Sequence, residues 1–496
     1  MERESSRSSL KLRSLDLIVV AAAALVGSGV YLLSSSLTYR LGFPLDDSWI
    51  HATYARNLAE HGQWAFRLGM PSAGSTSPMW TLLLVPGFWI QVGPLWWSYA
   101  LGALTLLGLG LLVESTVRML VATYDPALPW VAVFIVSEWH MLWAAMSGME
   151  TLLHAFMVTL VLSMLMTGSR RYLSLGLLTG LSIWIRPDGL TLVGPAIITI
   201  LLAEGSAAAR SRAVVSYLMG LGSLLVPYVL VNLLLSGTPM PNTFYAKQAE
   251  YAIWQARPLL ARIGSLALQL LTGPGILLVP GLLIWVAECI RRRSGAMLAV
   301  ILWSVSYLGL YVLRLPVYQH ARYLMPAMPV LFLFGILGSL RIRAFGRPGR
   351  FESKMQFTVQ AALAMLTVGF VWIGSRAYGQ DVGLIESEMV TVADWVAHNV
   401  PAGQVVAAHD IGALGYFDDH PLIDLAGLVS PEVVPFMRDE RRLAGYLDSR
   451  GARYLIAFPD SYPSLAKAAQ PVFSSGGKFA PAMGEQNMTV YCWSCR

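Results

Sequence analysis

Between Pro44 and Trp80 the chain reads PLDDSWIHATYARNLAEHGQWAFRLGMPSAGSTSPMW, the longest polar interruption in its first 370 residues. The stretch opens on adjacent carboxylates, Asp46 and Asp47. His51, Tyr54, Arg56 and Asn57 follow at helical spacing, so several polar groups can share one face. Four shorter polar stretches add Glu150 in SGME, Arg186 and Asp188 in RPDG, Asn242, Tyr245 and Lys247 in PNTFYAK, and Tyr318, His320, Arg322 and Tyr323 in YQHARY. A carboxylate can take the proton of an incoming hydroxyl. Cations beside it can hold a departing phosphate. Together these groups suit transfer from a phosphate-activated substrate, which needs no nucleophilic serine or cysteine. No Walker loop, GxSxG elbow or HExxH occurs, so nucleotide hydrolysis, esterase and zinc-protease chemistry lack their residues.

Each group also has a structural reading. Asp46 and Asp47 can cap the following helix, and Glu150 can sit at a helix N-terminus for the sake of its dipole. Arg186 and Asp188 can pair with each other, and Lys247 can be a solvated loop lysine. His320 and Arg322 can meet lipid headgroups. Glu138 and His140 fall inside an apolar run, where ionisable groups face a cavity or a partner.

The elements that must position these groups are membrane helices. The 496 residues are 55% hydrophobic and 13% charged, against about 25% charged in soluble domains. The 16 Trp and 20 Tyr suit interfacial belts and sugar-stacking surfaces. The net charge of +6 comes from basic residues in short loops between apolar runs, which set topology and imply no nucleic-acid partner. Runs able to span, at about 20 residues each, fall at 15–36, 96–121, 129–147, 149–168, 172–186, 189–204, 213–235, 263–288, 295–313, 323–340 and 356–375. A shorter run, 78–93, is expected to enter the membrane without crossing it.

The expected fold is therefore α-helical and polytopic, with 11 crossings. Arg3, Arg7, Lys11 and Arg13, with Arg170/Arg171, Arg210/Arg212, Arg291 to Arg293 and Arg341/Arg343/Arg347/Arg350/Lys354, mark the cytoplasmic side. The loops at 37–77, 147–150, 186–189, 236–262 and 314–323 are then external, and a bundle would gather their charged groups at its outer face.

The chain divides into a transmembrane part, 1–376, and an extracytoplasmic α/β domain, 377–496. In the second part 386–399 reads as an amphipathic helix. QVVAAHD, PLIDLAG, RYLIAFPD and MTVYCWS read as strands, and LAGYLDSRG as a helix end. The terminal CWSC, Cys492 and Cys495, reads as a disulfide or two free thiols rather than a metal or redox site.

DDSWIHATYARNLAEHGQWAF followed by STSPMW resembles the first external loop of bacterial GT-C glycosyltransferases, polytopic enzymes that use polyprenyl-phosphate sugars. SGMET, IRPDGL, PNTFYAK and ARYLMPAMP are similar to motifs of the subgroup containing mycobacterial arabinofuranosyltransferases, and HDIGALGYF…LIDLAGLVSPEV to its external C-terminal domain. The resemblance implies an inverting transferase that moves arabinofuranose, or a hexose such as mannose, from a lipid-phosphate donor to a hydroxyl on a cell-envelope glycan, lipid or protein. By it, Asp46 or Asp47 is the base, with Asp46 preferred, and Lys247, His320, Arg322 and Arg186 are candidates for the donor phosphate. His51, Tyr54, Arg56, Glu150, Asp188 and Tyr245 are candidates for sugar and acceptor. A divalent cation (Mg, Mn or Ca) on Asp46, Asp47 and Glu150 is an open alternative to the cations alone. The competing class is a polyprenyl-phosphate-sugar transporter or flippase. Transporters show inverted repeats and helices broken near the midplane, and no internal repeat is visible here.

Overall fold

The computed structural model describes residues 12–203, 205–342 and 350–495. Arg3, Arg7, Lys11, Arg343 and Arg347 of the expected cytoplasmic clusters lie outside these residues, as do the side chains of Arg350 and Lys354. Among the described residues six helices are long and apolar enough to cross a membrane: Ser14–Thr38, Pro94–Leu120, Ala207–Ser236, Pro274–Arg292, Gly295–Arg314 and the start of Thr358–Asn399. Shorter apolar helices at Thr151–Met166, Tyr172–Ile185, Pro187–Ala203, Leu259–Leu271 and Met325–Arg341 complete the bundle. The Pro78–Trp89 helix has 12 residues, about 18 Å at 1.5 Å per residue, short of the roughly 30 Å hydrocarbon core.

Helices in lipid gain no hydrophobic drive from meeting each other, so close backbone approach must hold them. A Cβ on Gly176 would stand 2.0 Å from the Tyr217 carbonyl oxygen, and one on Gly338 would stand 1.8 Å from that of Gly281. These glycines let the Tyr172–Ile185 helix lie against Ala207–Ser236, and Val279–Arg292 against Met328–Ile342.

Two expected spans are broken. The run 129–147 forms two helices, Trp130–Ser137 and Trp139–Ala145, because Glu138 turns out of the first and caps the second, accepting from the amides of His140 (3.0 Å) and Met141 (3.2 Å). The run 263–288 divides at Gly273, whose φ of +136° ends one helix before Pro274 starts the next. The breaks meet: the Trp139 indole donates to the Thr272 carbonyl at 3.0 Å, satisfying a backbone group the break frees. Glu138 and His140 are thus a helix break and not mid-helix charges.

The last long helix, Arg350–Ile385, runs through a π-helical turn at Glu386–Val390 into Thr391–Asn399. The expected division at 376/377 falls inside this rod, and the C-terminal sheet begins only at Val405. Strands β1 (Ala65–Arg67) and β2 (Met70–Pro71) form a hairpin in the first loop. The C-terminal sheet contains β3 (Val405–Ala408), β4 (Leu422–Asp424), β5 (Ala452–Ala457), β6 (Gln470–Ser474) and β7 (Thr489–Cys492) in the order β4-β3-β5-β7-β6. Strand β3 pairs parallel with β4 and β5, Ala407 opposite Leu455, and β7 pairs antiparallel with β5 and β6. Leu443, Leu447, Leu455 and Trp493 are buried in this domain's own core. Buried Glu388 accepts from Met488 N and Asn487 Nδ2, both at 2.9 Å, and ties the rod to the sheet. Cys492 and Cys495 are disulfide-bonded.

Candidate active site

The two acids of the first loop are adjacent in sequence and separate in role. Asp46 is the N-cap residue of the Asp47–His61 helix but makes no side-chain cap bond to it. Its oxygens instead accept from the amides of Gly412 (2.6 Å) and Ala413 (2.8 Å), which begin the helix Gly412–Phe417 of the C-terminal domain. Burial and the neighbouring Asp410 carboxylate push Asp46 up to about 7, against the lowering effect of those two amides. Asp47 accepts from Lys247 Nζ at 3.0 Å and Arg322 Nη2 at 2.8 Å. Burial would raise its pKa, but the two cations outweigh that and hold Asp47 well below the usual carboxylate range.

Lys247, Arg322 and Tyr323 form one knot, with the Tyr323 hydroxyl 3.3 Å from Lys247 Nζ and 3.1 Å from Arg322 Nη2. Arg322 is 3% exposed, and among the described residues its Nε and Nη1 have no hydrogen-bond partner. An unsatisfied buried donor costs about 1–3 kcal/mol, more when charged, and Arg322 as a residue lines the cavity described below. Gln319, His320 and Ala321 just before it all have φ between +50° and +60°. For L-residues that backbone costs about 1–2 kcal/mol each, and it delivers Arg322 and His320 to different partners.

Behind this knot, Glu150 accepts from Arg186 Nη1 at 2.8 Å, with His51 Nε2 3.5 Å from its other oxygen. Arg186 Nε donates to Asp188 at 3.0 Å, and Asp188 accepts from Tyr307 (2.9 Å) and Tyr311 (2.6 Å). Arg186 and Asp188 do pair, and each also holds a further partner. His51 Nδ1 meets Thr81 at 3.0 Å and Ser75 at 3.2 Å, pinning the Gly/Ser/Thr turn over the site. A cavity of about 520 Å³ runs past these residues. Its wall includes Glu150, Arg186, Asp188, Lys247, Arg314 and Arg322 together with Leu190, Met240, Phe244, Leu310 and Leu315. A wall that carries both cations and apolar side chains suits an amphiphile with an anionic head.

Several expected members stand elsewhere. Tyr54 is fully buried and holds the turn, bonding Ser72 Oγ at 2.6 Å and accepting from Gly74 N at 2.9 Å. Arg56 donates to the Tyr416 carbonyl at 2.7 Å and lies over the Tyr416 ring, fastening the C-terminal domain. Asn57 donates to Ala65 and Phe66, so the first-loop helix spreads its polar groups around several faces rather than one. Tyr245 is absent from the cavity wall, which Phe244 joins instead, the two rings edge to face at 5.4 Å. His320 bonds Asp381 at 2.8 Å between Trp139 and Trp143, apart from the Lys247–Arg322 knot. A metal on Asp46, Asp47 and Glu150 does not fit: each is engaged by donors of its own, and among the described residues no three His, Cys, Asp or Glu form a metal-binding group.

Sequence reading missed Tyr307, Tyr311, Glu250, His409 and Asp410. His409 bonds the Tyr462 hydroxyl at 2.7 Å and lies 3.8 Å from Glu250. Burial opposes its charge, yet Glu250 and Asp410 hold it up to about 9. The HDIG tetrapeptide was the available signal, an acid and base beside glycine at a strand end.

A family model described as Domain of unknown function (DUF8728) matches residues 378–491. No curated protein matches the chain. Among solved structures, ArnT from Cupriavidus metallidurans in the apo state is similar over 96% of this chain and 98% of its own, with 16% identity and a TM-score of 0.60. The same protein is also known bound to undecaprenyl phosphate. The Archaeoglobus fulgidus oligosaccharyltransferase in its apo form is similar over 90% of this chain and 70% of its own, with 12% identity and a TM-score of 0.61. Arabinofuranosyltransferase AftD from Mycobacteria is similar over 95% of this chain and 41% of its own, at 14% identity and a TM-score of 0.51. All three are membrane glycosyltransferases of the GT-C superfamily, and this chain has the GT-C fold.

Proposed function

We propose that this protein is an inverting glycosyltransferase that takes its sugar from a polyprenyl-phosphate donor at the outer face of the membrane. The observation that carries the reading is Lys247 and Arg322, joined through Asp47, on the wall of a largely apolar cavity that Glu150, Arg186 and Asp188 also line. The donor's phosphate would meet Arg322, Lys247 and Arg186, and its isoprenoid chain the leucines and Phe244. An acceptor hydroxyl attacks the anomeric carbon, the bond from that carbon to the phosphate oxygen breaks, and polyprenyl phosphate leaves with the bonding electrons. Asp46 takes the hydroxyl proton, because a carboxyl held near neutrality is a stronger base than one held far below it. Asp47 orders the two cations. Arabinofuranose or a hexose such as mannose is the sugar proposed, and a cell-envelope glycan, lipid or protein the acceptor. The structural neighbour bound to undecaprenyl phosphate supports the donor class.

The sidedness belongs to the same proposal: N-terminus in the cytoplasm, C-terminal domain outside. The Cys492–Cys495 disulfide supports it, since disulfides persist in oxidising compartments. A cysteine at exposed Ser461 should react with an impermeant thiol reagent on intact cells, and labelling only after lysis would reverse the orientation. The chemistry is tested by offering purified protein polyprenyl-phosphate arabinofuranose, mannose, glucose and aminoarabinose with cell-envelope extract. Turnover of one donor, lost in an Asp46/Asp47 double variant, is expected. Binding of undecaprenyl phosphate with no transfer from any donor would point to a carrier instead.

A further inference from the structure

The ionic groups of the donor cavity pair off with one exception. Arg186 stands between two carboxylates, Glu150 at 2.8 Å and Asp188 at 3.0 Å. Lys247 and Arg322 share a third, Asp47, at 3.0 and 2.8 Å. With histidines neutral, these three cations face three carboxylates, and the network carries no net charge. The wall holds a fourth cation, Arg314. It ends the helix Gly295–Arg314, is exposed, and forms no ion pair among the described residues. Its Nη1 donates at 3.3 Å to Gln248, an uncharged residue of the same wall and the next in sequence after Lys247.

A cation at a helix C-terminus can serve only to offset the helix dipole. Here Arg262 already does so, its Nη1 donating to the carbonyls of Val312 (3.3 Å) and Leu313 (3.4 Å) in the last turn. Arg314 therefore leaves the cavity wall with one uncompensated positive charge.

We infer that Arg314 supplies the net charge by which this cavity selects a phosphate-bearing lipid head, and that it acts as a charge and not as a guanidinium fork. The inference rests on the donor reading of the cavity. Taking a phosphate out of water is costly unless a counter-charge compensates it. The neutral network can meet a phosphate only by drawing its cations away from Asp47, Glu150 and Asp188. A phosphodiester joining a lipid to a sugar carries one negative charge, which the one charge of Arg314 balances. Because Arg314 is exposed, its pull on the head is screened by salt, whereas the more buried pairs are screened much less. Exposed charges of this kind govern encounter and salt dependence.

The test is binding of undecaprenyl phosphate to the full chain in phosphatidylcholine nanodiscs, at low and at high sodium chloride. Wild type should bind more weakly at high salt. Arg314→Gln should bind about fivefold more weakly at low salt, the scale of one ion pair in water, and lose most of the salt dependence. Arg314→Lys should match wild type within about twofold on both counts. Phosphatidylglycerol doped into the nanodisc and inorganic phosphate in solution are the competitors that separate a resident headgroup and a free phosphate from the donor's. Neither should displace undecaprenyl phosphate from wild type, and displacement by either would make Arg314 a general phosphate contact and overturn the selection. The inference is also overturned if Arg314→Gln keeps the affinity and salt response of wild type, or if Arg314→Lys fails as Arg314→Gln does. Failure of wild type to bind undecaprenyl phosphate at either salt would overturn the donor reading itself, and this inference with it.

Discussion

Asp46 and Gly412 are 366 residues apart in the chain and 2.6 Å apart in the fold, carboxylate to backbone amide. The proposed base is therefore held by the C-terminal domain and not by the helix it begins. Asp46→Asn should lower turnover by about 10²-fold or more through loss of the base, with the thermal melt near wild type. Gly412→Ala tests the contact from the other side. Its Cβ would stand 2.0 Å from the Asp46 carbonyl oxygen, so turnover should fall at least tenfold while undecaprenyl phosphate still binds. Wild-type turnover in both Asp46→Asn and Asp47→Asn would remove the base from this pair.

The pH dependence follows from Asp46. Its raised pKa means the working, deprotonated form fills in as pH rises, so kcat should climb through about 7 and level off above it. Asp410 is one source of that elevation, after burial, and Asp47 adds to it. Asp410→Asn should therefore move the inflection to lower pH. An unmoved inflection would separate Asp410 from the base.

Arg322 and His320 are two residues apart and should behave differently. Arg322→Ala should weaken undecaprenyl phosphate binding by about tenfold or more, the scale of a charge-assisted bond at about 1.5–3 kcal/mol. Arg322→Lys should not restore it, because a lysine cannot reproduce the guanidinium fork. His320→Asn keeps a residue that tolerates the left-handed backbone and should leave that affinity within about threefold. Calorimetric titration of both variants decides between them.

Arg186 joins two buried carboxylates, Glu150 and Asp188. Arg186→Ala leaves both without their main cation, a loss of about 3–5 kcal/mol for a broken buried pair. The melting temperature should fall by several degrees before any assay is run, and Arg186→Lys should recover part of it. An unchanged melt would make Arg186 a ligand-binding residue with no structural share.

The sequence alone determined the apolar runs of the membrane bundle, the polar stretches between them, and the α/β tail. Those follow from hydrophobic period and run length, which local chemistry fixes. It also singled out Asp46, Asp47, Lys247, Arg322, Glu150, Arg186 and Asp188, since charges beside apolar runs are conspicuous. Tertiary structure alone decided which of them meet. Helical spacing put His51, Tyr54 and Arg56 together, yet packing gave His51 to Glu150, Tyr54 to Ser72 and Arg56 to Tyr416. Three left-handed residues turned His320 away from Arg322. Asp46 and Asp47 are indistinguishable as neighbours in a string; one met backbone amides and the other two cations. A carboxylate's proton affinity depends on what stands within a few ångströms, and chain separation carries no record of that.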